Sequence, residues 1–158
     1  TYVPGRQAPQ PSAIGKAIME YGLKSDFLFW AGMQVAEDAM IASLLATDPA
    51  IVQAATPNEK GRVRSILRSI LPVSDRAQGL LNDAALAGDP KPMAIEQITA
   101  PTLAISVEDD RFGTAAAARH IASTVPGARS VIYPSGGHVW VGHNEELFRA
   151  VDAFLRAY

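Results

Sequence analysis

Two residue types that can move a proton, an acid and a histidine, stand at matching places in this sequence. Pro101-Thr102-Leu103-Ala104-Ile105-Ser106-Val107 reads as a buried strand and breaks at once into Glu108-Asp109-Asp110. Ser130-Val131-Ile132-Tyr133 reads as a second short strand and stops at Pro134-Ser135-Gly136-Gly137-His138. If the strands lie parallel, Asp110 and His138 leave the same rim, where open parallel sheets carry their functional side chains. A carboxylate that accepts from one imidazole nitrogen fixes the tautomer and leaves the other nitrogen to take a proton from a nucleophile. Gly136-Gly137 permit a sharp loop that brings the ring over the sheet edge. On spacing alone, a histidine that merely follows a Gly-Gly turn is the competing reading.

The elements that must position this pair form a strand–helix–strand–helix pattern. Leu103, Ile105 and Val107 alternate with residues that are themselves small, which suits a strand covered on both faces. Gly113-Thr114 opens a helix through about Val125, and Pro126-Gly127 turns the chain into the second strand, so the two strands are expected to be parallel with a right-handed crossover. Asn144 is expected to cap a last helix, with Glu145 and Glu146 in its first turn and an apolar docking face of Leu147, Phe148, Val151, Phe154 and Leu155. Two such strands cannot stand alone, because their edges leave backbone donors and acceptors unpaired and their faces lack cover. The pattern therefore implies a partner that supplies neighbouring strands.

Upstream the character is different. Residues 1–11 read as an extended opening segment with Pro4, Gly5, Pro9 and Pro11, and residues 12–92 as a helical region. Gly88-Asp89-Pro90-Lys91-Pro92 separates that region from the strand-bearing part at 93–158. Ser12 is expected to cap a short helix through Tyr21, ended by Gly22, and Ser25-Asp26 to start a helix carrying Phe27, Leu28, Trp30, Met33 and Val35. Phe27, Phe29 and Trp30 are either packed in a core or line an apolar ligand pocket. A helix over Glu37–Leu45 follows, then a fresh start after Thr47-Asp48-Pro49. Asn58–Leu71 is the clearest amphipathic helix, with Val63, Ile66, Leu67 and Ile70 inward and Lys60, Arg62, Arg64 and Arg68 on a solvated face. A further helix runs from Ser74-Asp75 to about Leu86 with Leu80, Leu81 and Leu86 as its seam.

Composition narrows the function classes. At 158 residues, with 48% hydrophobic and 19% charged residues, the chain can bury a core as one domain or two small pieces. Its 14 basic and 16 acidic side chains are scattered and sum to a net charge of -2, which leaves no basic stripe for nucleic acid. The absence of cysteine removes disulfides, thiolate nucleophiles and zinc–thiolate sites together. His120, His138 and His143 do not fall at a metal-ligand spacing, and neither a metal nor an organic cofactor is expected. No apolar run approaches the roughly 18 residues of a membrane span, and no signal peptide opens the chain. A cytoplasmic location without membrane contact is the expectation. The opening at Thr1 rather than Met points to a chain processed, trimmed or cut from something longer.

Ala100-Pro101-Thr102-Leu103-Ala104-Ile105-Ser106-Val107-Glu108-Asp109-Asp110, followed by Gly136-Gly137-His138, resembles the carboxyl-terminal third of the α/β-hydrolase superfamily. That resemblance implies an α/β fold in which two parallel strands with flanking helices belong to the hydrolase core and the helical region at 12–92 is its cap. Residues 1–5 would be the exit from the strand before the cap. It places the triad acid on Asp110, with Asp109 as the alternative because the family's common turn glycine is Val107 here. It places the triad histidine on His138, with His143 the weaker candidate. The family's G-x-S-x-G elbow is missing from the chain. Ser135 lacks a strand-to-helix elbow and reads as a turn serine.

The implied reaction is hydrolysis of an ester or related acyl bond in a small, mainly apolar substrate. His138 would act as general base and then general acid, and Asp110 would orient it. The nucleophile, expected to be serine, and the oxyanion hole would come from the upstream amino-terminal half of the same hydrolase. Phe27, Phe29, Trp30 and Met33 would line the pocket from the cap side and Trp140 would wall the site, although loop packing explains Trp140 equally well. Two alternatives stay open. Enzymes of the same fold use an aspartate nucleophile for dehalogenation or epoxide opening, or cleave carbon–carbon bonds. A non-catalytic helical interaction domain would use Asp110 and His138 only structurally.

Overall fold

The structure is a computed structural model that describes Val3, residues 21–88 and residues 90–158. The segments expected as extended chain at 1–11 (Val3 apart) and as a helix from Ser12 fall outside the described residues. Gly22, expected to end that helix, instead opens a 3-10 turn at Gly22–Lys24.

Four helices then follow in quick succession, three of them started by a side-chain cap. In α1 (Asp26–Val35) the Leu28 amide donates to the Ser25 hydroxyl at 3.3 Å. Helix α2 is Glu37–Leu44. Helix α3 (Pro49–Ala54) begins with proline, and the Ala50 amide donates to the Asp48 carboxylate at 2.9 Å. Helix α4 (Pro57–Arg68) is capped by Thr56, which accepts from the Glu59 amide at 3.3 Å. A 3-10 turn at Ser74–Arg76 leads into α5 (Ala77–Gly88). The expected seam on α5 is only lightly covered: Leu80 packs against the core, whereas Leu81 and Leu86 are exposed.

The strand-bearing part contains β1 (Leu103–Val107), α6 (Thr114–Thr124), β2 (Arg129–Tyr133) and α7 (Asn144–Leu155). Among the described residues the sheet has two strands, paired in parallel from Leu103 opposite Arg129 to Val107 opposite Tyr133. Each strand points its last residue at the same rim. The Arg129 amide donates to the Thr102 carbonyl and the Glu108 amide to the Tyr133 carbonyl. By the alternation of a parallel ladder, the N–H groups of Leu103, Ile105 and Val107 therefore point away from β2. The apolar stripe of α7 is only partly covered, and Phe148 and Leu155 are exposed. His143, not Asn144, occupies the position before α7 begins.

The main core lies among the helices. Leu23, Phe29, Met33, Met40, Ile41, Val63 and Leu67 pack together there, and Val139 and Val141, from the loop after β2, belong to the same cluster. The sequence break near residue 92 is thus crossed by packing. Helical geometry explains the fate of the aromatic cluster. At about 100° per residue, Phe29 turns inward to 1% exposure, while Phe27 and Trp30 sit outward at 69% and 49% and touch each other with ring centroids 6.0 Å apart. No helix among the described residues is long and apolar enough to cross a membrane.

Truncation separates these two aromatic environments. Phe29→Ala should destabilise the fold by about 3–5 kcal/mol through loss of burial and a residual cavity, whereas Phe27→Ala should stay within about 0.5 kcal/mol of the parent. Urea titration followed by circular dichroism reads both; equal effects would contradict the packing described.

Candidate active site

The acid and the histidine meet. The His138 Nδ1–H donates to Asp110 Oδ2 at 2.9 Å, across 28 positions of sequence. Their environments differ sharply: the Asp110 side chain is 2% exposed and the His138 side chain 42%. Two groups besides His138 bond the carboxylate directly. The Phe112 amide donates to its Oδ1 at 2.8 Å, closing a local Asx turn, and the Thr114 hydroxyl donates to its Oδ2. Since the single Thr114 hydroxyl hydrogen is committed to the carboxylate, the Ser106 hydroxyl 2.7 Å away must donate to Thr114. Burial pushes the Asp110 carboxyl up, but the hydrogen bonds from His138, Thr114 and the Phe112 amide outweigh it and hold the group below the ordinary aspartate range.

Asp109 does something else. Its two oxygens accept from the amides of Gly136 and Gly137 at 3.2 and 2.9 Å, so it ties the turn after β1 to the turn before His138. Adjacent acids thus divide the work, one on the ring and one on the backbone beneath it. Gly137 sits at φ +61, where a Cβ would collide with the buried Thr47 side chain. That close approach locks the histidine loop against the segment between α2 and α3. The same segment holds the acid loop: the Arg111 amide donates to the Ala46 carbonyl at 3.0 Å, and the Arg111 guanidinium pairs with Asp48 at 2.9 Å.

The loop after the histidine is held from α4. Arg62 Nη2 donates to the Val139 carbonyl at 2.8 Å and reaches the Trp140 carbonyl at 3.4 Å. Glu59, one turn earlier, grips the same guanidinium through Nε at 3.0 Å and Nη2 at 2.8 Å, and accepts from the Gly142 amide at 3.1 Å. Its carboxyl is held below the ordinary glutamate range, chiefly by the hydrogen bond from Arg62. Arg62 was expected on a solvated face; it is half-buried instead, because its helical position overhangs the loop. Trp140 has φ 52, a left-handed conformation that costs a non-glycine residue about 1–3 kcal/mol and persists only when its surroundings over-determine it.

The remaining expected residues separate. His138 and Trp140 border one cleft of about 370 Å³, whose walls are largely Ile66, Val139, Leu147 and Phe148, with Arg62 and Asn144 as its polar members. The two rings are near-parallel with centroids 6.4 Å apart, and Phe112 meets His138 edge-on at 4.9 Å. Met33 lines a different cleft, with Gln34, Glu37, Arg64, Leu67 and Arg68. Phe29 is in the core, and Phe27 and Trp30 are on the outer face of α1. His143 pairs with Glu146 at 2.9 Å and stacks on Tyr133, away from Asp110. Ser135 is exposed at the bend after β2, and the His138 side-chain hydrogen bond goes to Asp110 and not to it. Among the described residues nothing hydrogen-bonds to His138 Nε2, and no three His, Asp or Glu side chains gather where a metal ion could be held.

Sequence reasoning missed Thr114, Ser106, Glu59 and Arg62. Only the first had a signal, a hydroxyl four residues after the acid at the start of a helix. No protein-family model matches the chain, and comparison with curated proteins and with solved structures returns no match.

The acid network predicts a pH signature. A carboxyl whose pKa is lower folded than unfolded adds stability above its unfolded value, and that stability disappears as pH falls through the folded value. Asp110→Asn should therefore cost about 1–3 kcal/mol near pH 7, with the gap from wild type closing as pH drops below about 3.8. Urea melts at several pH values measure this; a gap independent of pH would contradict the network.

Proposed function

We propose that this chain is the cap and carboxyl-terminal portion of an α/β-hydrolase that cleaves an ester or related acyl bond in a small, mainly apolar substrate. The observation that carries the reading is His138 Nδ1 held on the buried Asp110 at 2.9 Å while Nε2 bears no bond to any described residue. An imidazole fixed in this way presents an unprotonated nitrogen able to accept a proton from a nucleophile, then return it to a leaving group. Asp110 keeps the tautomer and stabilises the imidazolium while it lasts. The half-exposed ring beside an apolar cleft fits a substrate of that character.

On this reading the nucleophile, the oxyanion hole and the strands that would continue the sheet belong to polypeptide outside these 158 residues. Two features support it. No G-x-S-x-G occurs in the sequence. The outward N–H groups of Leu103, Ile105 and Val107 form an edge suited to another strand.

Turnover of short-chain p-nitrophenyl esters tests the proposal. The 158-residue chain alone should give no more than the background of free imidazole. Joined to the polypeptide encoded upstream of Thr1, it should turn esters over, and His138→Ala should then lower kcat on the order of 10³-fold. Full enzymatic turnover by the isolated chain, or an unaffected His138→Ala variant, would overturn the proposal.

A further inference from the structure

We infer that Glu59 and Arg62 are positioning residues for His138, so that helix α4 sets where the imidazole sits. The inference rests on the reading of His138 as a base, although the geometry behind it does not. His138 is the only residue of its loop that reaches Asp110, and a displacement of about 1 Å would take a 2.9 Å contact out of hydrogen-bond range. What prevents that displacement lies on both sides of the ring. Before it, Asp109 holds the amides of Gly136 and Gly137. After it, the chain must pass through the left-handed Trp140 before α7 begins.

The Glu59–Arg62 pair spans that second half. Arg62 takes the carbonyls of Val139 and Trp140, and Glu59 takes the amide of Gly142, so both ends of the 139–142 turn are fastened to one helix. The fastener is itself rigid. Glu59 holds the Arg62 guanidinium through two nitrogens, and Val63 and Leu67 anchor α4 in the core with no appreciable exposure. A surface ion pair contributes little on its own; this one acts on the backbone next to the base. Val139 and Val141 also anchor the turn by burial.

Arg64 supplies the internal control. It lies on the same helix, carries the same charge and makes a comparable two-nitrogen pair with Glu37 at 2.8 and 2.9 Å, yet its partner is on α2 and not on the loop. Imidazole nitrogen NMR on the full 158-residue chain reads the His138 tautomer directly and needs no turnover, so failure of the clamp and failure of the hydrolase reading are separate results. In wild type the Nδ1–H form should dominate. Arg62→Gln should lower the ratio of Nδ1–H to Nε2–H roughly tenfold, the worth of about one hydrogen bond, and Glu59→Gln should move it the same way. Arg62→Lys, which keeps the charge and reaches one carbonyl, should restore part of the ratio, and Arg64→Gln should leave it unchanged. If Arg62→Gln fails to fold, Arg62→Lys against wild type must still show the shift. An unchanged tautomer in every folded Arg62 variant, or an equal shift in Arg64→Gln, would overturn the inference.

Discussion

The seven residues from Gly136 to Gly142 must satisfy two layers at once, and much of the structure follows from that constraint. His138 has to stand at the rim of the strands, over Asp110. Val139 and Val141, its near neighbours, are buried in a core built by the helices. A chain that alternates so abruptly between rim and core cannot remain in ordinary backbone regions. It turns through positive φ at Gly136, Gly137, Trp140 and Gly142. Glycine makes three of these inexpensive, and the fourth is compensated by hydrogen bonds and packing around it. The helical and strand-bearing parts are therefore joined at the candidate site itself.

Charge is distributed in keeping with that architecture. The acid is buried and surrounded by donors, so its position and ionisation are fixed; the ring is half-exposed, so protons can reach it. A reversed arrangement would leave an ionised carboxylate competing with water for the imidazole and a ring shut away from any reactant. The hydroxyl chain from Ser106 through Thr114 points the same way, because it saturates lone pairs that would otherwise recruit solvent. Asp109, though adjacent to Asp110, contributes through backbone amides, which is why two neighbouring acids are not redundant.

Much of this was legible in the sequence, for physical reasons that also mark where legibility stops. Strand, turn and acid are local in sequence, and so are strand, Gly-Gly and histidine; parallel pairing then follows from the helix between them. Helix starts at Ser25 and at Asp48-Pro49 are equally local, whereas the helix read from Asn58 begins one residue earlier, at Pro57, behind the Thr56 cap. By contrast, periodicity says which side of α4 faces inward but not what overhangs its flank. Arg62 meets the Val139 carbonyl across 77 positions, and no nearby residue foretells it. The same limit explains the aromatic cluster in α1. Its composition does not state which ring turns inward; at about 100° per residue, one step divides Phe29 from Trp30 and two divide it from Phe27. The stripe on α7 is a different case: its spacing is helical, but spacing does not say how much of the face is covered, and among the described residues Phe148 and Leu155 stay exposed.

The contact on which the account turns is the proton between His138 Nδ1 and Asp110. Low-temperature proton NMR of the nitrogen-15-labelled wild-type chain tests it most directly, since an imidazole N–H shared with a carboxylate resonates far downfield and couples to its own nitrogen. The account predicts one such proton, bonded to His138 Nδ1 and absent when Asp110 is replaced by asparagine. A His138 ring that shows both tautomers, with no downfield proton on Nδ1, would contradict it.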